Sequence, residues 1–252
     1  MADWRQAIIR ENAMTRLVAG LFIAIGLIVG GWFVGNGFAH SRNERFVTVK
    51  GLAEHDVKAD IALWRIRFVE TGDKLADVQA AVQHDDAAVT AFLGQHKLGK
   101  DDIAFRNVQV TDRAAQMYGN QQYKTRFIVT GTLMVRTKNV DAIAAAAQDT
   151  GALIAQGVVL GDANGGNDEG PTYLFDGINA LKPSMIAEAM KNAREAAEQF
   201  AHDSGSKLGG IRRANQGVFQ ILPRDKAPML QEDKQVDKTV RVVATLDYTL
   251  KD

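Results

Sequence analysis

The chain has 252 residues, 46% hydrophobic and 24% charged, a balance that packs a core and is not that of a disordered tail. Its 30 lysines and arginines match 30 aspartates and glutamates, so it lacks the basic excess that gives a nucleic-acid binder its phosphate affinity. It has no cysteine, which excludes disulfides, thiolate catalysis, iron–sulfur clusters and cysteine-ligated zinc. An oxidising compartment stays open to it, because a chain of this size buries enough core without covalent staples.

Between Arg16 and His40 lie 23 residues without an ionisable side chain. As a helix they rise roughly 34 Å, enough for a bilayer's hydrocarbon core. The sequence therefore predicts a short cytoplasmic tail over 1–16 and a transmembrane helix over 17–39. Gly37-Phe38-Ala39 also fits a signal-peptidase site, so cleavage after Ala39 is the competing expectation. Leu17 to Val34 is longer than a typical signal h-region, which favours a signal-anchor with the bulk of the chain outside the cytoplasm. Arginine and lysine counts tie across the span and give no orientation. Gly26 and Gly30, and Gly31 and Gly35, lie four apart, a spacing that lets a second helix approach closely in lipid.

From Phe46 the hydrophobic period switches repeatedly between two and 3.6, which predicts an α+β domain of mixed sheets packed by long helices. Ala62, Trp64, Ile66 and Phe68 alternate with Arg65, Arg67 and Glu70, a strand with one buried face. Leu75, Val78, Val82, Val89 and Phe92 form a helical stripe, with Asp73 placed to cap its start. Strands follow over 103–110 and 127–135, then a short alanine-rich helix over 140–148. Val158 to Leu160 and Thr172 to Leu181 read as strands. Pro183 suits the first turn of a helix reaching His202, with Ile186, Ala189, Met190, Ala193, Ala197 and Phe200 as its apolar stripe. Strands over 211–222 and 240–250 close the chain. Both long helices are expected to end in one tripeptide, Lys97-Leu98-Gly99 and Lys207-Leu208-Gly209, each followed by a strand, which suggests two related halves, about 46–137 and 138–250.

These features carry a resemblance. Val47-Thr48-Val49-Lys50-Gly51, then Ala59-Asp60-Ile61-Ala62 entering a strand, then Lys97-Leu98-Gly99 with Asp101-Asp102-Ile103, are similar to the SIMPL-domain family. The alanine-rich helix with Ala193-Arg194-Glu195-Ala196-Ala197, the segment Gly205 to Gly209 and the closing strand extend the likeness over 46–250. The family commonly has proline where this chain has Ala59. The resemblance implies an envelope location, homo-oligomers that include rings, and links to stress responses; the family has no catalytic motif to carry over.

Motifs for chemistry are sparse. Gly94 to Lys100 matches the first seven positions of a phosphate-binding loop, but Asp101 replaces the magnesium-binding hydroxyl and the stretch leaves a helix rather than entering one. It reads as a helix C-terminus. The 161–170 segment gathers Asp162, Asp168 and Glu169 but lacks calcium-loop spacing, and reads as a solvated connection. His40, His55, His84, His96 and His202 share no ligand spacing and read as ordinary exposed histidines. None of the four serines, Ser41, Ser184, Ser204 and Ser206, sits in a nucleophile elbow. Asp85-Asp86 and Asp101-Asp102 read as solvated faces. The 223–238 stretch, with two prolines, is either a surface loop or an arm that contacts a subunit or partner through Ala227, Pro228, Met229 and Leu230.

The sequence thus predicts no catalytic, cofactor or metal residue, and no nucleic-acid partner. It points to a single-pass protein of a bacterial inner membrane, its C-terminal domain in the periplasm or outside the cell. There it acts as a non-enzymatic homo-oligomeric scaffold or interaction module, with the membrane, further copies and an unidentified envelope protein as partners. The alternatives are a small-ligand carrier using a cleft between the halves and an enzyme whose site follows no motif.

Overall fold

The computed structural model describes residues 20–35, 45–115, 124–161, 170–228 and 230–252. Residues 20–35 form α1, exposed along its length. No helix among the described residues is long and apolar enough to cross a membrane. The 1–16 tail and residues 17–19 and 36–39 of the expected span lie outside them.

From Phe46 the elements run β1 (Phe46–Lys58), β2 (Ile61–Gly72), α2 (Leu75–Gln95), β3 (Ile103–Asp112), β4 (Phe127–Thr137), α3 (Val140–Gln148), α4 (Gly151–Ala155), β5 (Thr172–Leu174), α5 (Ile178–Asp203), β6 (Lys207–Gln216), β7 (Gln220–Pro223) and β8 (Asp237–Lys251). This is an α+β fold with two four-stranded sheets. One has the order β1-β8-β6, with β7 also on β8; the other has the order β3-β4-β2-β5. The second is antiparallel throughout rather than mixed. The reason is that α2 carries the chain past one strand position, and β4 returns between β2 and β3.

The chain forms two compact units, neither continuous in sequence. One comprises 51–192 and 216–244. The other comprises, among the described residues, 20–35, 45–50, 193–215 and 245–252. The segments β1, α5 and β8 each supply residues to both.

In the larger unit β2 turns Ala62, Trp64, Ile66 and Phe68 towards the core, in unbroken register with Thr137, Val135, Leu133 and Gly131 of β4. Val78, Val82, Val89, Phe92 and Leu93 of α2 and Ile143 and Leu153 of α3 and α4 bury the same layer. The expected stripe on α2 is thus present, except that Leu75 is 42% exposed. Asp73 does not cap α2. Its carboxylate accepts from the Arg126 backbone N–H at 3.1 Å, and Lys74, which offers no side-chain cap, precedes the helix. Lys97, at φ 63°, ends it in the left-handed conformation.

Thr172 to Leu181 is not one strand. The strand stops at Leu174 because the Asp60 carboxylate accepts from the Asp176 and Gly177 N–H groups, each at 2.8 Å, and α5 starts at Ile178. Pro183 therefore lies inside the helix rather than in its first turn. The buried spine of α5 is Met185, Ala189, Ala193, Ala197 and Ala201, while Met190 and Phe200 are 37% and 58% exposed. Repeating at i+4 alone, it is narrower than the stripe expected. Met185 and Ala189 pack with Ala53, Val240, Val242 and Ala244 in the larger unit. In the smaller unit Ala193 and Ala197 pack with Val49, Leu246 and Tyr248.

The strand expected over 211–222 is two strands, parted where the Gly217 N–H donates to the Val243 carbonyl at 2.8 Å. A Cβ on Gly217 would lie 2.8 Å from that oxygen, so the close approach requires glycine. The two matching tripeptides also differ in setting. Lys97-Leu98-Gly99 lies before β3, whereas Lys207-Leu208-Gly209 opens β6 itself, α5 having already turned at Gly205 with φ 66°.

Candidate functional site

Gly26, Gly30, Gly31 and Gly35 all lie on α1, and a Cβ on any of them would meet nothing within 4 Å. Their two i,i+4 pairs form open small-residue faces. The 223–238 arm is fastened at its base. Arg224 pairs with Asp237 at 2.7 Å, Gln235 exchanges hydrogen bonds with the Asp225 backbone at 3.1 and 2.9 Å, and the Val236 carbonyl accepts from Ala59 N–H at 2.8 Å. Lys238, fully buried, donates to the Glu232 carbonyl at 2.6 Å and to the Glu232 carboxylate. At the tip Ala227 and Pro228 are exposed and Leu230 is 48% exposed, while Met229 lies outside the described residues.

Of the strands that end the two sheets, β3 and β6 differ most in side-chain character. On β3, paired with β4 alone, Phe105, Val108 and Val110 are 50%, 58% and 50% exposed. Register places Val108 and Val110 beside Gly131 and Val129, on the helix-bearing face but uncovered, and Phe105 beside Met134 on the opposite face. The strand therefore offers apolar groups on both faces and a row of unpaired backbone groups between them, with neither proline nor lysine to blunt it. Sequence periodicity showed the strand but not its position, which topology decides. At one end of the other sheet, β6 carries Lys207, Arg212 and Arg213, and the Arg212 guanidinium lies 5.0 Å above the Phe46 ring. Its charge makes it the poorer template.

The histidines do not converge. His55 meets Glu188 at 2.7 Å and His96 meets Asp149 at 3.2 Å, so these two are partnered and half-buried rather than exposed, while His202 faces Asp203 at 3.3 Å. His40, Asp162, Asp168 and Glu169 lie outside the described residues. Among the described residues no group of three histidines or carboxylates is placed to hold a metal ion. Asp101 and Asp102 are at the surface, and Asp102 accepts from the Gly99 N–H at 2.8 Å where Gly94 to Lys100 leaves α2. A hollow of about 530 Å³ lies beside Tyr173, lined by Ala144, Ala147, Pro171, Lys234 and Val236. Burial pushes the Tyr173 hydroxyl above its ordinary range.

Sequence reading missed one cluster. Asp85 is not on a solvated face: it is 4% exposed, in the slot between Val82 and Val89 of the buried stripe. Opposite it stands Glu70, which the unbroken register of β2 places on the same face as Trp64 and Phe68, not with Arg65 and Arg67. Glu70 is raised above its ordinary value of 4.5, first by burial and then by the nearby Asp85 carboxyl. The spacing 78, 82, 85, 89, 92 was the available signal.

A family model described as SIMPL, a protein of unknown function (DUF541), matches residues 47–248. No curated protein matches the chain.

Proposed function

We infer, from the premise that the chain belongs to the SIMPL family, that it is a membrane-anchored envelope protein acting as a non-enzymatic homo-oligomeric scaffold. The carrying observation is β3, a ten-residue terminal strand open along one edge and apolar on both faces. Such a strand is a template for pairing with another copy, main-chain hydrogen bonds supplying affinity and the exposed Phe105, Val108 and Val110 supplying apolar contact. Anchoring rests on the uncharged 23-residue run, of which α1 is the described part, and on small-residue faces that suit packing in lipid. The exposed tip of the 223–238 arm is a second place for a neighbouring copy or an envelope protein to touch. A stress-response role follows from the family resemblance alone.

The native mass of the full chain extracted in mild detergent tests the reading. A protein mass that is a multiple of the 27.4 kDa chain is expected, and a single-chain mass at micromolar concentration overturns the scaffold. Alkaline carbonate extraction and protease treatment of spheroplasts test the anchor. Retention in the membrane with digestion of the C-terminal domain is expected, and release or protection overturns it.

A further inference from the structure

Among the described residues β3 pairs with β4 alone, and the backbone decides which residues its other edge offers. One step past the pair Asp112 and Phe127, the Arg113 N–H donates to the Arg126 carbonyl at 2.9 Å, so residue 113 directs its ladder bonds towards β4. Alternation along an antiparallel strand gives Asn107, Gln109 and Thr111 the same direction. The N–H and C=O groups of Arg106, Val108, Val110 and Asp112 therefore point outward. The side chains of these four share the helix-bearing face, where Arg106 meets Asp86 of α2 at 2.6 Å and Asp112 meets Arg126 at 2.9 Å.

This outward row reads Arg-Val-Val-Asp, which is its own complement when the strand is reversed. Set antiparallel to a copy of itself, it places arginine against aspartate at both ends and valine against valine between them. Sliding the copy by two residues either way sets Arg106 or Asp112 opposite a valine. Sliding it by one matches outward backbone groups with groups already bonded to β4. The favoured register also fits the regular part of the strand, since the bulge between Ile103 and Phe105 lies just before Arg106.

Resting on the homo-oligomeric reading above, we propose that the partner of β3 is β3 of a second copy, paired antiparallel about a two-fold axis through Gln109. Arg106 of one copy faces Asp112 of the other, Val108 faces Val110, and each facing pair exchanges two main-chain hydrogen bonds. On the opposite face Asn107 meets Thr111 and Gln109 meets its own copy. The two four-stranded sheets become one sheet of eight strands. Such a contact is isologous and closed, so β3 joins copies in twos, and any larger assembly holds an even number through further contacts.

The chain has no cysteine, so an introduced thiol reports one place. Each residue from 107 to 111 is replaced singly by cysteine in the full chain, and covalent dimer is measured after mild oxidation in detergent. On the axis the two Cα atoms of residue 109 lie about 4.5 Å apart, within disulfide reach. Residues 108 and 110 lie about 9 Å from their own copies and 107 and 111 about 14 Å, which is too far. Gln109→Cys should therefore give about tenfold more covalent dimer than any of the other four. Asn107→Cys coexpressed with Thr111→Cys should give a mixed dimer that neither gives alone. A maximum at another position overturns the proposed register, and a multi-chain native mass with no covalent dimer at any position overturns the β3 contact; either result leaves the scaffold standing. A single-chain mass overturns both, and an odd number of copies overturns the two-fold pairing. Should Gln109→Cys fail to fold, wild-type amide exchange decides: protection of 106–112 at concentrations giving the multi-chain mass, lost on dilution to single chains, upholds the pairing, and free exchange in the assembly overturns it.

Discussion

The Phe68 ring lies over the backbone of Gly131, its register partner across β2 and β4, so closely that a Cβ on residue 131 would overlap the ring's Cε2 and Cζ atoms. Glycine weakens a strand interior, but here the neighbouring ring fills the space its missing side chain leaves. Gly131→Ala should cost about 2–3 kcal/mol, read as a lower denaturation midpoint, because Phe68 must leave its rotamer in a close-packed layer. In a Phe68→Leu background the same change should cost under about 1 kcal/mol; equal costs in both backgrounds would show that the ring is not the cause.

Asp60 ties the entry of α5 to the start of β2 through two backbone N–H groups at 2.8 Å. Asp60→Ala should lower stability by about 1–2 kcal/mol in chemical denaturation, the usual worth of a lost helix-start acceptor. Asp60→Asn, which keeps an acceptor oxygen, should lose less.

Val108 is 58% exposed on β3. A lysine there leaves the core untouched and places charge on the edge, the device by which soluble proteins protect such strands. Val108→Lys should leave the unfolding free energy within about 0.5 kcal/mol of wild type while reducing the native mass in detergent. An unchanged mass would move the contact away from β3. Gly26→Leu with Gly30→Leu should weaken only forms that retain 17–39.

Lys238 is wholly buried beneath the arm it fastens. Lys238→Met keeps the apolar stem but leaves the Glu232 carbonyl and carboxylate without their donor, at a cost of about 2 kcal/mol. Limited trypsin digestion should then cut faster at Arg224, Lys226 and Lys234. Unchanged cleavage rates would show that the other ties suffice.

Much of this fold was legible because apolar period carries direct geometric meaning. Trp64, Ile66 and Phe68 declared one face of β2, and Val78, Val82, Val89 and Phe92 one face of α2. The failures came where charge was equated with solvent. Glu70 continues the even-numbered, inward row of β2, and Asp85 continues the α2 stripe, yet both were assigned outward by residue type. Long-range polar partners were equally invisible. Nothing local announces that Asp60 would start α5 across 116 residues, or that Asp73 would serve Arg126 instead of its own helix. On α5 the alanines made several stripes equally plausible, and the sheet residues that select among them lie far away in sequence.

The order β1-β8-β6 puts the strand made last of the three between the other two, and β7 also pairs with β8. A ribosome that has produced β1, β6 and β7 has therefore produced three strands with their central partner still missing. Any chain released before Asp237 would keep those backbone edges bare. In this topology β1, β6 and β7 gain their shared partner only when β8 joins them.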